Sequence, residues 1–129
     1  MNEELRKIIE KANECLSDAK YLLEGDRTEA AANRAYYAIF NAVQGLLLNI
    51  NVLVKTHKGI HVKFNEHFIK TKVFDIELGQ ILDSVSALRQ EADYDFGFEV
   101  LSDDAKRAIE KAEYFLTTVK SYLEDLENK

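Results

Sequence analysis

Residues 27–50 read RTEAAANRAYYAIFNAVQGLLLNI, and this stretch decides the fold. Indexed at about 100° per residue, its apolar side chains cover most of a helical circumference instead of one stripe. Such a helix must be packed by several neighbours, because exposed apolar surface is unfavourable in water. Its polar exceptions fall at steps of four, four and three and form one seam, which consists of Asn33, Tyr37, Asn41 and Gln44. The seam is either the rim of a helix–helix contact or the lining of a cleft or a subunit interface.

Three further segments, residues 2–24, 75–94 and 102–129, place apolar side chains at three- and four-residue steps with charged residues between them. This period predicts amphipathic helices that each bury one face. Residues 51–74 are less regular, and Thr56 is expected to cap a short helix there. The sequence therefore predicts one all-α domain over residues 1–129, an up-down bundle of four long helices plus one short helix.

The connections are short and carry local signals. Gly25 is expected to end the first helix, and Asp26–Glu29 has the spacing of a capping box that begins the second. Residues 95–99 contain Phe96 and Phe98, which are expected to cover the core.

Composition excludes several classes of protein. The net charge of −6 argues against non-specific coating of nucleic acid. The single cysteine, Cys15, allows no internal disulfide and is expected to be a buried core thiol. There is no glycine-rich phosphate loop and no zinc-binding helix motif, so no cofactor is predicted. Neither a signal peptide nor a membrane-spanning run is visible, which predicts a cytoplasmic protein.

All three histidines lie in residues 51–74, beside five lysines that make this segment locally positive. His57 and His61 are four residues apart, a spacing that can bring two imidazoles to one metal. Two ligands do not make a site, and no third ligand follows at a suitable interval, so no metal is predicted. The positive segment is compatible with a phosphate-bearing partner or with solvated surface.

Arg89 has an unusual position in residues 75–94. It falls within the apolar arc of its helix, where a guanidinium requires a partner, an anion or a water-filled cleft. Asp93 lies one turn further on, within reach of its side chain, and Tyr94 follows it. The pair is either a semi-buried ion pair that fixes the helix or part of a cleft. In such a cleft Arg89 would clamp a phosphate, with help from Asp93 or Tyr94.

Three segments in this order resemble the HEPN domain superfamily: NRAYYAIFNA at residues 33–42, KTHKG at residues 55–59 and LRQEADY at residues 88–94. The chain is most similar to a family of stand-alone prokaryotic HEPN proteins. The resemblance implies a bundle of four to five helices that dimerises. It also implies a role in RNA metabolism or in toxin–antitoxin systems, often beside a minimal nucleotidyltransferase.

Active members of the superfamily resemble metal-independent endoribonucleases, in which four to six residues separate an arginine from a histidine that follows it. Arg89 matches that arginine, but the three possible histidine positions hold Tyr94, Asp95 and Phe96. The expected general base is therefore missing from its place. Asp93 would be a weaker base, and His57 or His61 could reach the cleft from the third segment.

Three interpretations follow. In the first, a homodimer binds RNA, a nucleotide or a nucleotidyltransferase partner through a cleft around Arg89, Asp93 and Tyr94. Further ligand-binding residues expected there are Asn33, Tyr37, Asn41 and His57. In the second, the same cleft cuts RNA without a metal, and Arg89, Asp93 and Tyr94 are the catalytic candidates. In the third, the protein is a dimeric scaffold in which Arg89 and Asp93 form a core ion pair.

Overall fold

The computed structural model describes all residues from Met1 to Lys129, and every regular element in it is helical. The elements are α1 (Glu3–Glu24), α2 (Thr28–Asn49), α3 (His57–Phe64) with a π-helical turn (Asn65–Ile69) directly after it, α4 (Ile76–Tyr94) and α5 (Ser102–Glu127). The predicted all-α bundle of four long helices and one short helix is confirmed. No helix combines the length and the apolar character needed to cross a membrane.

Helix α2 is the central helix, as its apolar circumference predicts. It packs against α1, α3, α4 and α5, and twelve of its residues are buried. A close approach to α1 occurs at Gly45, where a β-carbon would lie 3.2 Å from side-chain methyls of Leu5 and Ile9. The small buried residues of α1 that face this contact layer are Ala12, Cys15 and Ala19. Cys15 is thus the buried core thiol expected from its position.

The short helix α3 is held at both ends. The Thr56 hydroxyl accepts a hydrogen bond from the backbone N–H of Gly59 at 2.9 Å, which confirms the predicted cap. Further along, Phe64 and Phe68 are fully or almost fully buried in the core. Because both anchors are fixed, the first residue of α3, His57, is set in a defined position against α2.

The capping box predicted at Asp26–Glu29 is wrong. Helix α2 begins at Thr28, its N-cap residue is Arg27, and no side chain makes a capping hydrogen bond there. The cause is the backbone of Asp26, whose φ of 62° is left-handed. An N-cap residue requires extended backbone, so Asp26 completes the turn after Gly25 and does not begin the next helix. Helix α1 does end before Gly25, as expected.

The expectation for the loop after α4 is half right. Phe98 is partly buried and packs against the core, whereas Phe96 is fully exposed. The Asp95 carboxylate accepts a hydrogen bond from the N–H of Gly97, and its carbonyl accepts one from the N–H of Phe98. Phe96 is therefore at the tip of a tight turn, where its ring points away from the bundle.

Candidate functional site

Arg89 is buried in α4, as its place in the apolar stripe predicts, with only 8% of its surface exposed. Its Nη1 donates a hydrogen bond to Asp93 Oδ2 at 2.7 Å. Its guanidinium carbon lies 4.7 Å from the centroid of the Tyr36 ring on α2, the distance of a cation–π contact. The guanidinium is thus fixed between α2 and α4 by an ion pair and by an aromatic face.

One edge of this guanidinium has no acceptor within the chain. The Nε atom is buried and makes no hydrogen bond, and Nη2 has no protein partner but is reached by solvent. A ligand oxygen can reach Nη2 directly, and it can reach Nε only if the side chains that cover this atom move; the two atoms then form an edge for two oxygens of a phosphate or carboxylate. A buried N–H without a partner costs roughly 1–3 kcal/mol. A ligand that supplied an acceptor here would recover that free energy.

Tyr36 connects Arg89 to residues 51–74, the segment that contains the histidines. Its side chain is fully buried, and its hydroxyl shares a hydrogen bond with Nδ1 of His57 at 2.8 Å. Burial raises the pKa of the Tyr36 hydroxyl, and the nearby charge of Arg89 opposes this effect. Tyr36 was not among the expected site residues. The available signal was its hydroxyl, because a buried tyrosine on an apolar helix needs a hydrogen-bond partner.

His57 is the histidine that reaches the cluster. Its ring packs against the aromatic rings of α2, with centroid distances of 5.7 Å to Tyr36 and 4.8 Å to Phe40. Burial lowers the pKa of His57, and the positive charges of Arg89 and His61 lower it further. Nδ1 is engaged by Tyr36, whereas Nε2 makes no hydrogen bond within the chain and is reached by solvent. A neutral, oriented imidazole therefore stands beside the buried guanidinium.

The other two histidines have different partners. His61 Nδ1 lies 3.2 Å from Asp83 Oδ1, and His67 Nε2 lies 3.1 Å from Glu66 Oε2. No group of three or more histidine, cysteine, aspartate or glutamate side chains is arranged to hold a metal ion. His57 and His61 therefore contact two different partners, Tyr36 and Asp83.

The polar seam of α2 is divided between two surroundings. Asn41 is buried, and its amide donates to Sγ of Cys15 on α1 at 3.6 Å. Tyr37 is half-buried and lies under the guanidinium of Arg34, whose carbon is 5.0 Å from the ring centroid. Tyr37 also packs edge-on against His57. The Asn41 end is therefore a helix–helix contact, and the Tyr37 end borders the histidine.

Asn33 and Asp93 line the same pocket, a surface cleft of about 580 Å³ between α1, α2 and α4. Asn33 Oδ1 accepts hydrogen bonds from the guanidinium of Arg34, which also lines the pocket. Arg27 and the uncapped first turn of α2 complete one side of it. Two arginines and a helix N-terminus bring positive charge to the cleft, and Glu29 and Asp93 bring two negative charges to the same lining.

Tyr94 lies outside the cluster. It is the last residue of α4, it is 80% exposed, and its hydroxyl makes no hydrogen bond within the chain. Of the other expected site residues, Tyr37 borders His57, and the rest separate into three groups. Arg89, Asp93 and His57 converge with Tyr36, Asn33 joins Asp93 at the cleft, and Asn41 faces α1.

Comparison with known proteins agrees with this architecture. A model of the HEPN domain matches residues 5–122. The chain belongs to the HEPN domain family. A relative from Thermotoga maritima, named "UPF0332 protein", is 40% identical over 130 residues and is aligned over 98% of each chain. The resemblance read from three short segments is thereby confirmed.

Two relatives of this HEPN chain come from Methanocaldococcus jannaschii and bear toxin names. "Putative toxin MJ0142" is 36% identical, over 93% of this chain and 82% of the relative. "Putative toxin MJ0605" is 34% identical, over 98% of this chain and 93% of the relative. The similarity in each case extends over nearly the whole helical bundle.

Proposed function

We propose that this HEPN chain is a toxin-like RNA-binding protein in which Arg89 holds a phosphate of RNA or of a nucleotide. The observation that carries the proposal is the free Nε/Nη2 edge of a guanidinium that Asp93 and Tyr36 already fix. A fixed fork loses little conformational freedom when it binds two oxygens, so the ligand gains most of the interaction energy. The ligand approaches from the side of Nη2, which solvent reaches.

The surroundings of Arg89 support a nucleotide-like ligand. Arg27, Arg34 and the N-terminus of α2 favour negative charge in the adjoining cleft. Asp93 and Glu29 line the same cleft and can accept hydrogen bonds from ribose hydroxyls or base amino groups. The rings of Tyr37 and Phe40 are partly exposed and add apolar surface against which a base could pack.

The proposal also covers the oligomeric state of the chain and its protein partner. The toxin names of two relatives support a toxin–antitoxin-type pair, and the family resemblance supports a homodimer with a cleft shared between two copies. A minimal nucleotidyltransferase is the partner that we expect beside it, in the cytoplasm. Sedimentation of the purified chain, alone and after co-expression with the product of a neighbouring gene, tests both parts.

Binding is tested with a fluorescent single-stranded RNA and with a fluorescent nucleotide. Arg89→Lys keeps the charge but removes the planar fork, and Arg89→Met removes both while filling the same space. We expect each to weaken binding at least tenfold, about 1.4 kcal/mol. Arg107→Lys is the matched control, because Arg107 is an exposed arginine in a similar ion pair. Unchanged affinity in a folded Arg89→Met variant would leave only the structural role of the Arg89–Asp93 pair.

The position of His57 favours a second function, cleavage of RNA without a metal. If Nδ1 carries the ring proton and donates to Tyr36, the lone pair of Nε2 is free to act as general base. Nε2 would take the proton of a ribose 2′-hydroxyl, whose oxygen attacks the adjacent phosphorus. Arg89 would stabilise the charge that develops on the phosphate oxygens. The 5′-oxygen leaves with a proton from solvent, which gives a 2′,3′-cyclic phosphate and a 5′-hydroxyl.

Cleavage is tested with mixed RNA in EDTA. We expect His57→Gln and Arg89→Met each to lower the rate at which cyclic-phosphate products form by about a hundredfold or more. About a hundredfold is the lower end of the range for general acid–base catalysis. His61→Gln is the matched control, since His61 lies on the same helix and pairs with Asp83. Equal cleavage by wild type and His57→Gln would remove His57 from this role, and no cleavage by the wild type would leave the binding function alone.

A further inference from the structure

The charge of this protein is strongly segregated along the chain. Residues 55–72, here called the basic segment, contain five lysines and one acid, a net charge of +4. The remaining chain contains twelve lysines and arginines against 22 acids, a net charge of −10. The basic segment therefore provides a local positive surface on an otherwise acidic protein.

Most of the lysines in the basic segment are free to bind a partner. Four of them, Lys55, Lys58, Lys70 and Lys72, are exposed and have no carboxylate within 4.0 Å. Lys63 is the exception, because it pairs with Glu66 at 3.1 Å. The free lysines therefore lie in two groups, one at the start of α3 and one just after the π-helical turn. The helical part between them has eight plus five residues and is about 20 Å long.

The first group adjoins the proposed site. Lys55 and Lys58 flank His57, whose ring lies against Tyr36 beneath Arg89. A strand held at Arg89 and His57 would leave the site next to these two lysines. About 20 Å is the axial length of roughly six nucleotides in a stacked strand, whose rise along the helix axis is about 3.4 Å per nucleotide.

We propose that the basic segment is the track along which a single RNA strand leaves the Arg89 site, with lysine–phosphate contacts at both ends of α3. This inference rests on the proposed function, because it takes the strand at Arg89 as its starting point. The lysines would contribute affinity without reading sequence, since they contact only the backbone. An acidic protein surface is the other partner that such a segment could bind, and the experiment below separates the two.

The test compares two quadruple variants of equal net charge. The track variant carries Lys→Gln changes at Lys55, Lys58, Lys70 and Lys72. The control carries the same change at four lysines on other elements, which also have no carboxylate within 4.0 Å: Lys11, Lys106, Lys120 and Lys129. Affinity for single-stranded RNAs of about three and about twelve nucleotides is measured over a range of salt concentrations.

For the longer RNA we expect the track variant to bind at least tenfold more weakly than wild type. Its slope of log affinity against log salt should fall by up to about 2.8, since each single-strand phosphate contact contributes about 0.7. The control should change both quantities little. With the short RNA, the track variant should bind like wild type, whereas Arg89→Met should bind both RNAs weakly.

Equal losses in the two quadruple variants would overturn the track, because bulk charge would then explain the effect. Wild-type affinity of the track variant for the longer RNA would also overturn it and would assign the segment to an acidic protein. Weak binding of the track variant together with normal binding of Arg89→Met would instead overturn the Arg89 site, and with it the track from that site, and would leave the basic segment as an RNA-binding surface of its own.

Discussion

Two arginine–aspartate pairs in this protein have nearly the same geometry and opposite surroundings. Arg89 and Asp93 on α4 are joined at 2.7 Å, and Arg107 and Asp104 on α5 are joined at 2.8 Å. The Arg89 side chain is 9% exposed, whereas that of Arg107 is 62% exposed. Water hydrates every N–H of Arg107 that Asp104 leaves free, but it cannot reach Nε of Arg89. The same pair of residue types is therefore a surface contact in one helix, and in the other it leaves one guanidinium nitrogen buried without a hydrogen bond.

The difference shows why distance alone does not identify a site. An exposed ion pair gains little, because solvent screens it and two long side chains must be ordered. A buried pair carries a desolvation cost that apolar residues would not have. A buried arginine with one free edge is thus a poor choice for stability, and the ligand-binding role that we propose would account for its presence.

The largest effect should follow from removing the anion of the buried pair. Asp93→Ala leaves the buried guanidinium without a counter-charge, but Asp93 itself is exposed, so we expect a loss of about 2 kcal/mol in the free energy of unfolding, between the values for surface and buried pairs. Arg89→Met, which replaces the charge by an apolar chain of similar length, should change stability by less than about 1 kcal/mol. Urea unfolding of both variants measures this contrast. Equal losses would mean that the surroundings of Arg89 are more solvated than the structure indicates.

A smaller effect is expected at the aromatic face beneath Arg89. Tyr36→Phe keeps the cation–π contact and removes only the hydroxyl bonded to His57. We expect a loss of about 1 kcal/mol, the usual contribution of one hydrogen bond. Thermal unfolding gives the value, and Tyr37→Phe is a matched control in the neighbouring position, because the Tyr37 hydroxyl makes no hydrogen bond within the chain. A loss as large as that of Asp93→Ala would show that the tyrosine hydroxyl, and not the ion pair, holds the cluster together.

The charge of Arg89 should also appear in the pH dependence of stability. Burial, Arg89 and His61 lower the pKa of folded His57, so the unfolded chain binds a proton at this residue before the folded chain does. Stability should therefore fall as the pH drops below about 6.5 and level off once folded His57 is protonated. His57→Gln should reduce this slope, measured by urea unfolding between neutral and acidic pH. His67→Gln is the control, and an unchanged slope in His57→Gln would contradict the prediction.

The smallest effect belongs to the exposed pair. Arg107→Ala leaves the Asp104 carboxylate in place to accept the N–H of Leu101, so the start of α5 keeps its capping bond. We expect a loss of about 0.2–0.5 kcal/mol, typical of a helical surface pair. Calorimetric unfolding of this variant measures the loss, which is then compared with the loss in Asp93→Ala. A loss above about 1 kcal/mol would mean that burial does not separate the two pairs.

Periodicity alone predicted much of the fold and the burial of Arg89. The apolar circumference of residues 27–50 identified the central helix, and the stripe containing Leu88 and Ala92 placed Arg89 toward the core. Local signals were less reliable when two of them overlapped. Asp26 had the spacing of a helix cap, but the turn after Gly25 required a left-handed residue and took Asp26 instead.

Only part of the candidate site could be predicted from the sequence pattern. Arg89 and Asp93 lie on one helix, so their contact follows from helical spacing. His57 was one of two histidines that could have reached the cleft, and no pattern within residues 51–74 distinguished it from His61. Tyr36 was hidden in an apolar run, because its ring fits the core and only its hydroxyl has a polar partner.

By itself, the sequence determined the helices, the central position of α2, the family and the buried place of Arg89. These properties depend on the residue types along one helix and on its period of 3.6 residues. Only the tertiary structure decided that Tyr36, His57 and Arg89 meet, that one edge of the guanidinium is left free, and that Asn41 belongs to a helix–helix contact. Those facts depend on how far α3 reaches over α2 and on how the helices are rotated against each other, and no single helix encodes either.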